Sequence, residues 1–117
     1  MNSFSTSKLD EILRDRREKC EQERQQLLQK TQAWLEEFAC EYGIETAYIF
    51  GSVTRPYKFH QNSDVDLAVE EIDPIAHFPA ISLLSAYLER EVDIIRLDSC
   101  HFADRIRSTG ILWKRIN

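Results

Sequence analysis

The chain has 117 residues, 43% of them hydrophobic, enough for one compact core and too few for two ordinary domains. No stretch approaches the ~20 consecutive apolar residues of a membrane span, and the N-terminus has neither the basic start nor the apolar block of a signal peptide, so a cytoplasmic protein without membrane contact is expected. A net charge of −5 disfavours broad attraction to phosphate backbones, so no direct nucleic acid binding is expected; the three cysteines, Cys20, Cys40 and Cys100, form no CxxC pair and read as reduced fillers rather than disulfides or zinc ligands.

Ser7 with Asp10 reads as a capping box that opens a helix. Leu9, Ile12, Leu13, Arg16 and Cys20, then Leu27, Leu28, Thr31, Trp34, Leu35, Phe38 and Tyr42, fall on one helical stripe. A long helix over residues 8–42 follows, with Gly43 as its left-handed stop. Within residues 15–26 only Cys20 offers an apolar contact, so this stretch either projects from the domain or breaks the helix in two.

Beyond Gly43 the pattern changes to short runs rich in β-branched and aromatic residues, predicting strands at 47–50, 65–69 and 92–97. Between the last two lies a helical stripe of Ile81, Leu84 and Leu88, with its start marked by Pro74 or Pro79. A final helix over 99–109 ends at Gly110, and residues 111–116 can add a last strand. The domain reading is a long N-terminal helix, residues 1–43, packing on the core and offering its front half to a partner, and a core over 44–117. A helix folded wholly onto its own domain is the alternative. Trp34 and Trp113 read as core residues.

Three short motifs carry chemistry. Gly51-Ser52 follows an apolar run, which puts a permissive backbone and a hydroxyl at a strand's end, suited to a phosphate if a helical turn begins there. In Ser63-Asp64-Val65-Asp66-Leu67, strand alternation projects Asp64 and Asp66 to one side while Val65, Leu67 and Val69 pack on the other. Paired carboxylates suit a hard divalent cation; a polar strand face turned to water is the plain alternative. Asp93 stands in a second apolar run, where it either completes a three-carboxylate cluster or pairs with Arg90 or Arg96. His60, in the spacer loop, reads as a bystander, and His77 and His101 have no metal-ligand spacing.

Gly51-Ser52, a spacer, Asp64-x-Asp66 with a preceding serine, and a later strand bearing Asp93 together resemble the minimal nucleotidyltransferases of the polymerase-β superfamily, over about residues 45–116. The resemblance implies an α/β (α+β) fold, a small mixed sheet flanked by helices. It implies Asp64, Asp66 and Asp93 as metal-binding and catalytic residues, and Gly51, Ser52 and Arg55 as the triphosphate contacts. It further implies ATP as nucleotide donor and Mg²⁺, as two ions or as one ion with Asp93 serving as base. Two departures stand out: the spacer is one residue longer than the family's usual one, and Pro56 occupies a position where glycine is common, predicting a stiffer or rerouted loop.

Small stand-alone domains of this kind resemble the antitoxins of type VII-like toxin–antitoxin pairs, whose partner is a HEPN ribonuclease toxin. The implied reaction is transfer of AMP from ATP to a tyrosine hydroxyl of that toxin. Neutralisation by binding alone and transfer to a small-molecule acceptor are the competing expectations.

Overall fold

The structure, a computed structural model, describes residues 3–116, with side chains from residue 7 onward. Helix α1 runs unbroken over Ser3–Phe38. At 1.5 Å per residue its 36 residues span about 54 Å, which accounts for a longest dimension of 62 Å against 27 and 24 Å across. Ser7 lies inside this helix, so the expected capping box is not its start; no glycine or proline in the preceding residues halts helix growth. The last turn tightens to a 3₁₀ turn, Ala39–Tyr42, and Gly43 closes it with φ +74°, as expected.

For the polar middle of α1 the expected projection holds over residues 15–19, and the rest needs correction. It does not break, and it contributes more than Cys20: Glu21 and Arg24 are buried there, continuing the stripe that goes on through Leu27, Thr31, Trp34 and Leu35. Ahead of them, residues 7–19 are all exposed, so the front of α1 projects from the core.

Among the described residues four strands form the mixed sheet in the order β3-β2-β1-β4: β1 is Thr46–Phe50, β2 Val65–Val69, β3 Val92–Arg96 and β4 Ile111–Lys114. β1 is antiparallel to β2 and β4, while β2 and β3 are parallel and joined through helix α2, His77–Leu88. Pro74 marks the start of a 3₁₀ turn that leads into α2. Helix α3, Ala103–Thr109, begins later than 99, because Leu97–Ser99 turn as 3₁₀ and Cys100 is extended.

The main core lies between one sheet face and the helices. Ile49, Val65, Leu67, Val69 and Ile94 pack there against Leu27, Trp34 and Leu35 of α1 and Leu84 and Leu88 of α2. Both tryptophans are core residues: Trp34 stacks on Tyr42 at 5.8 Å, and Trp113 Nε1 donates to Glu36 Oε1 at 2.8 Å. The opposite face is only partly covered, by Leu97, Ala103 and Ile106 against Ala68. All three cysteines are free; Cys20 and Cys100 are half-buried as fillers, but Cys40 is exposed.

Candidate active site

The chain leaves β1 in a single 3₁₀ turn, Gly51–Thr54, tied by Thr54 Oγ1 donating to the Gly51 carbonyl (2.7 Å) and the Arg55 N–H to the Ser52 carbonyl (3.1 Å). Gly51 takes φ +83°, where a side chain is strained. A Cβ at Gly51 would also lie 2.5 Å from Asp66 Oδ2, since the β1–β2 register sets Phe50 opposite Asp66. The sequence reading assigned this glycine to phosphate approach; in the structure the group that approaches it is a carboxylate.

Asp66 is half-buried in β2, and the parallel register puts Asp93 of β3 directly beside it. Neighbouring strands are about 4.8 Å apart, and in-register residues point to the same face. Asp64 stands just ahead of β2, exposed, and the three apolar neighbours Val65, Leu67 and Val69 are fully buried on the other side. The Asp66 carboxyl is pushed up to about 6, first by burial, then by the negative charge of Asp93, then by that of Asp64. Both neighbouring acids therefore act on Asp66.

Neither arginine considered as a partner for Asp93 takes that role. Arg90 donates to the carbonyls of Gln61 and Ser63 and to Glu23 Oε2 (3.2 Å), and Arg96 pairs with Asp98 at 2.7 Å. Among the described residues no cation neutralises the cluster, and no three His, Cys, Asp or Glu side chains already stand in ion-holding geometry. The donor chemistry nonetheless fits a hard divalent ion: carboxylate oxygens only, one of them held in a state that positive charge would relieve.

Arg55 is exposed, with no side-chain hydrogen bond among the described residues. Pro56 and Tyr57 follow as the middle of a turn closed by the Lys58 N–H on the Arg55 carbonyl (3.1 Å), with Tyr57 at φ +62°, as in a type II turn where glycine is usual. Pro56 thus stands at the first central position of a tight turn. His60 is exposed and gives its N–H to Ser63 Oγ, while His77 Nε2 meets the Ile94 carbonyl at 2.7 Å, covering the β3 edge.

Sequence reasoning missed the charged residues that hold the loop. Arg24 Nη1 donates to the Val53 carbonyl, Glu21 Oε1 accepts the Tyr57 N–H, and Arg17 lies over the Tyr57 ring. Arg90 closes the far end, with its guanidinium 4.8 Å from the Phe59 ring. Beside Asp64 a polar cleft of about 1000 Å³ opens between α1 and α2, lined by Glu23, Lys30, Ser63, Ser85 and Arg90.

Residues 33–115 match the family model of polymerase beta nucleotidyltransferases. No protein of curated function matches the chain. Two solved structures share its fold: a toxin–antitoxin with AMP-PNP, 24% identical over 72% of this chain and 73% of that one with a TM-score of 0.59, and a mutant of the toxin–antitoxin MntA-HpeT, 22% identical over 72% and 73% with a TM-score of 0.57.

Proposed function

Since the chain belongs to the polymerase-β nucleotidyltransferase family, we propose that it is the antitoxin of a type VII-like pair, transferring AMP from ATP to a tyrosine hydroxyl of a HEPN ribonuclease toxin. The observation that carries this reading is Asp66, in register with Asp93 and against Gly51, its carboxyl raised by burial and by its two acidic neighbours. The likeness to a toxin–antitoxin structure holding AMP-PNP supports the choice of donor and partner.

Asp64 and Asp66 would hold Mg²⁺, with Asp93 contributing to the same cluster. The bound metal, one ion or two, supplies positive charge at the phosphoryl oxygens where negative charge develops. The amides of the Gly51–Thr54 turn and the Ser52 hydroxyl bind the triphosphate, and the exposed Arg55 is free to turn onto it. Asp93, which forms no ion pair among the described residues, accepts the proton of the attacking hydroxyl. The tyrosine oxygen bonds to the α-phosphorus, the bond to the bridging oxygen breaks, and pyrophosphate leaves.

Intact mass spectrometry of the neighbouring gene's product, after incubation with this chain, ATP and Mg²⁺, tests the proposal against an Asp64→Asn control. Added AMP units with the wild type only are expected. An unmodified partner in a stable complex would instead favour neutralisation by binding, to which the exposed Leu9, Ile12 and Leu13 of α1 are suited.

A further inference from the structure

Glu21 and Arg24 lie one turn apart on α1 with side chains only 6% and 8% exposed. They form a two-pronged ion pair, Arg24 Nε to Glu21 Oε1 at 2.9 Å and Nη2 to Oε2 at 2.6 Å. Each partner keeps one bond for the loop after β1: Arg24 Nη1 donates to the Val53 carbonyl at 3.0 Å, and Glu21 Oε1 accepts the Tyr57 N–H at 2.7 Å. The two anchors bracket Arg55 and follow directly on Gly51 and Ser52.

A buried ion pair is a poor device for stability alone, because desolvating both charges offsets much of their attraction, and apolar residues of the same volume would hold α1 on the domain as well. Apolar residues could not take a carbonyl and an amide of the loop at fixed spacing. Tyr57 gives a second, independent sign that the loop is held. A tyrosine in the left-handed region persists only where its surroundings over-determine it, and here Glu21 holds its N–H while the Arg17 guanidinium sits 5.1 Å from its ring centroid.

We propose that the Glu21–Arg24 pair is a positioning device for the nucleotide, fixing residues 51–57 so that the Gly51 and Ser52 amides and Arg55 face the triphosphate. The inference rests on the nucleotidyltransferase reading above. Both residues lie outside the family match at residues 33–115, and the inference extends the nucleotide site to the long helix.

The test uses the full chain without its partner, well below the melting temperature of each variant. ATP affinity with Mg²⁺ is measured by titration calorimetry, and exchange of the Tyr57 amide by NMR, for wild type, Arg24→Lys and Arg24→Met. Arg24→Met is expected to weaken ATP binding about tenfold and to speed Tyr57 exchange by a similar factor, the scale of one lost charge-assisted hydrogen bond. Arg24→Lys, which keeps a donor for the Val53 carbonyl, is expected to fall between. Should Arg24→Met not fold, Glu21→Gln and Arg24→Lys carry the comparison. Faster Tyr57 exchange with unchanged ATP affinity would overturn the positioning role and leave the nucleotidyltransferase reading intact, as would no change in either. A wild type that binds no ATP would overturn that reading and the inference with it.

Discussion

Gly51 and Asp66 share one space: the carboxylate of Asp66 occupies the position that a side chain at residue 51 would need, 2.5 Å from the ideal Cβ. Gly51→Ala is therefore strained in backbone, at φ +83°, and in contact. It is expected to lower stability by roughly 1–2 kcal/mol. Because Asp66 is half of the problem, the cost should shrink by about 1 kcal/mol in an Asp66→Ala background, as expected for residues in contact. Chemical denaturation of the four proteins of this cycle checks the coupling; strictly additive costs would remove the contact as the reason for the glycine.

Asp66 also sets a pH dependence. Its carboxyl is raised from 3.8 to about 6 in the fold. Below pH ~4 both folded and unfolded chains hold the proton and the group contributes nothing. Between ~4 and ~6 the unfolded chain ionises first, so stability falls as pH rises; above ~6 the penalty is complete. Asp66→Asn, measured with chelator present, should melt higher than wild type at pH 7.5, by about 1 kcal/mol once solvent screening of a half-exposed group is allowed for, or roughly 4 °C. The gain should vanish at pH 4. Mg²⁺ should raise the wild-type melting temperature at pH 7.5 and leave Asp66→Asn unmoved. A pH-independent difference between the two proteins would contradict the shift.

Much of this site is legible in the sequence because its logic is local. Residues 65–69 alternate as a strand must, which fixes Asp64 and Asp66 on one side, and Asp93 stands out as a charge in an apolar run. What escapes such reading is set by partners far along the chain. Glu21 and Arg24 look like solvated helix residues, since their loop contacts lie 36 and 29 residues away. The collision that demands Gly51 depends on strand register, which pairs Phe50 with Asp66. The start of α1 eluded the capping signal because helix continuation past Ser7 meets no breaker.

Asp93 and Asp66 should separate kinetically, although they are neighbours in register. If Asp93 acts as base on the hydroxyl, Asp93→Asn should lower the rate of AMP transfer by about 10²-fold or more while ATP binding changes little. Asp66→Asn should weaken ATP–Mg²⁺ binding itself. Single-turnover transfer rates beside calorimetric ATP affinities distinguish the two; an equal loss of affinity in both variants would make Asp93 a metal ligand only.

The front of α1 yields the last prediction. Leu9, Ile12 and Leu13 are 55%, 47% and 51% exposed, on a helix segment whose residues 7–19 all face solvent. Replacing the three by glutamine keeps helix propensity close to that of leucine and leaves the buried core residues untouched. The melting temperature should stay within about 2 °C. If this face binds the toxin, affinity for the neighbouring gene's product should fall at least tenfold, since each Leu or Ile buried in an interface contributes on the order of 1 kcal/mol. Titration calorimetry and thermal melts on the same samples give both quantities. Undiminished binding would move the partner to another surface, and a melting temperature lowered by more than about 5 °C would mean that the face is already covered by the domain itself.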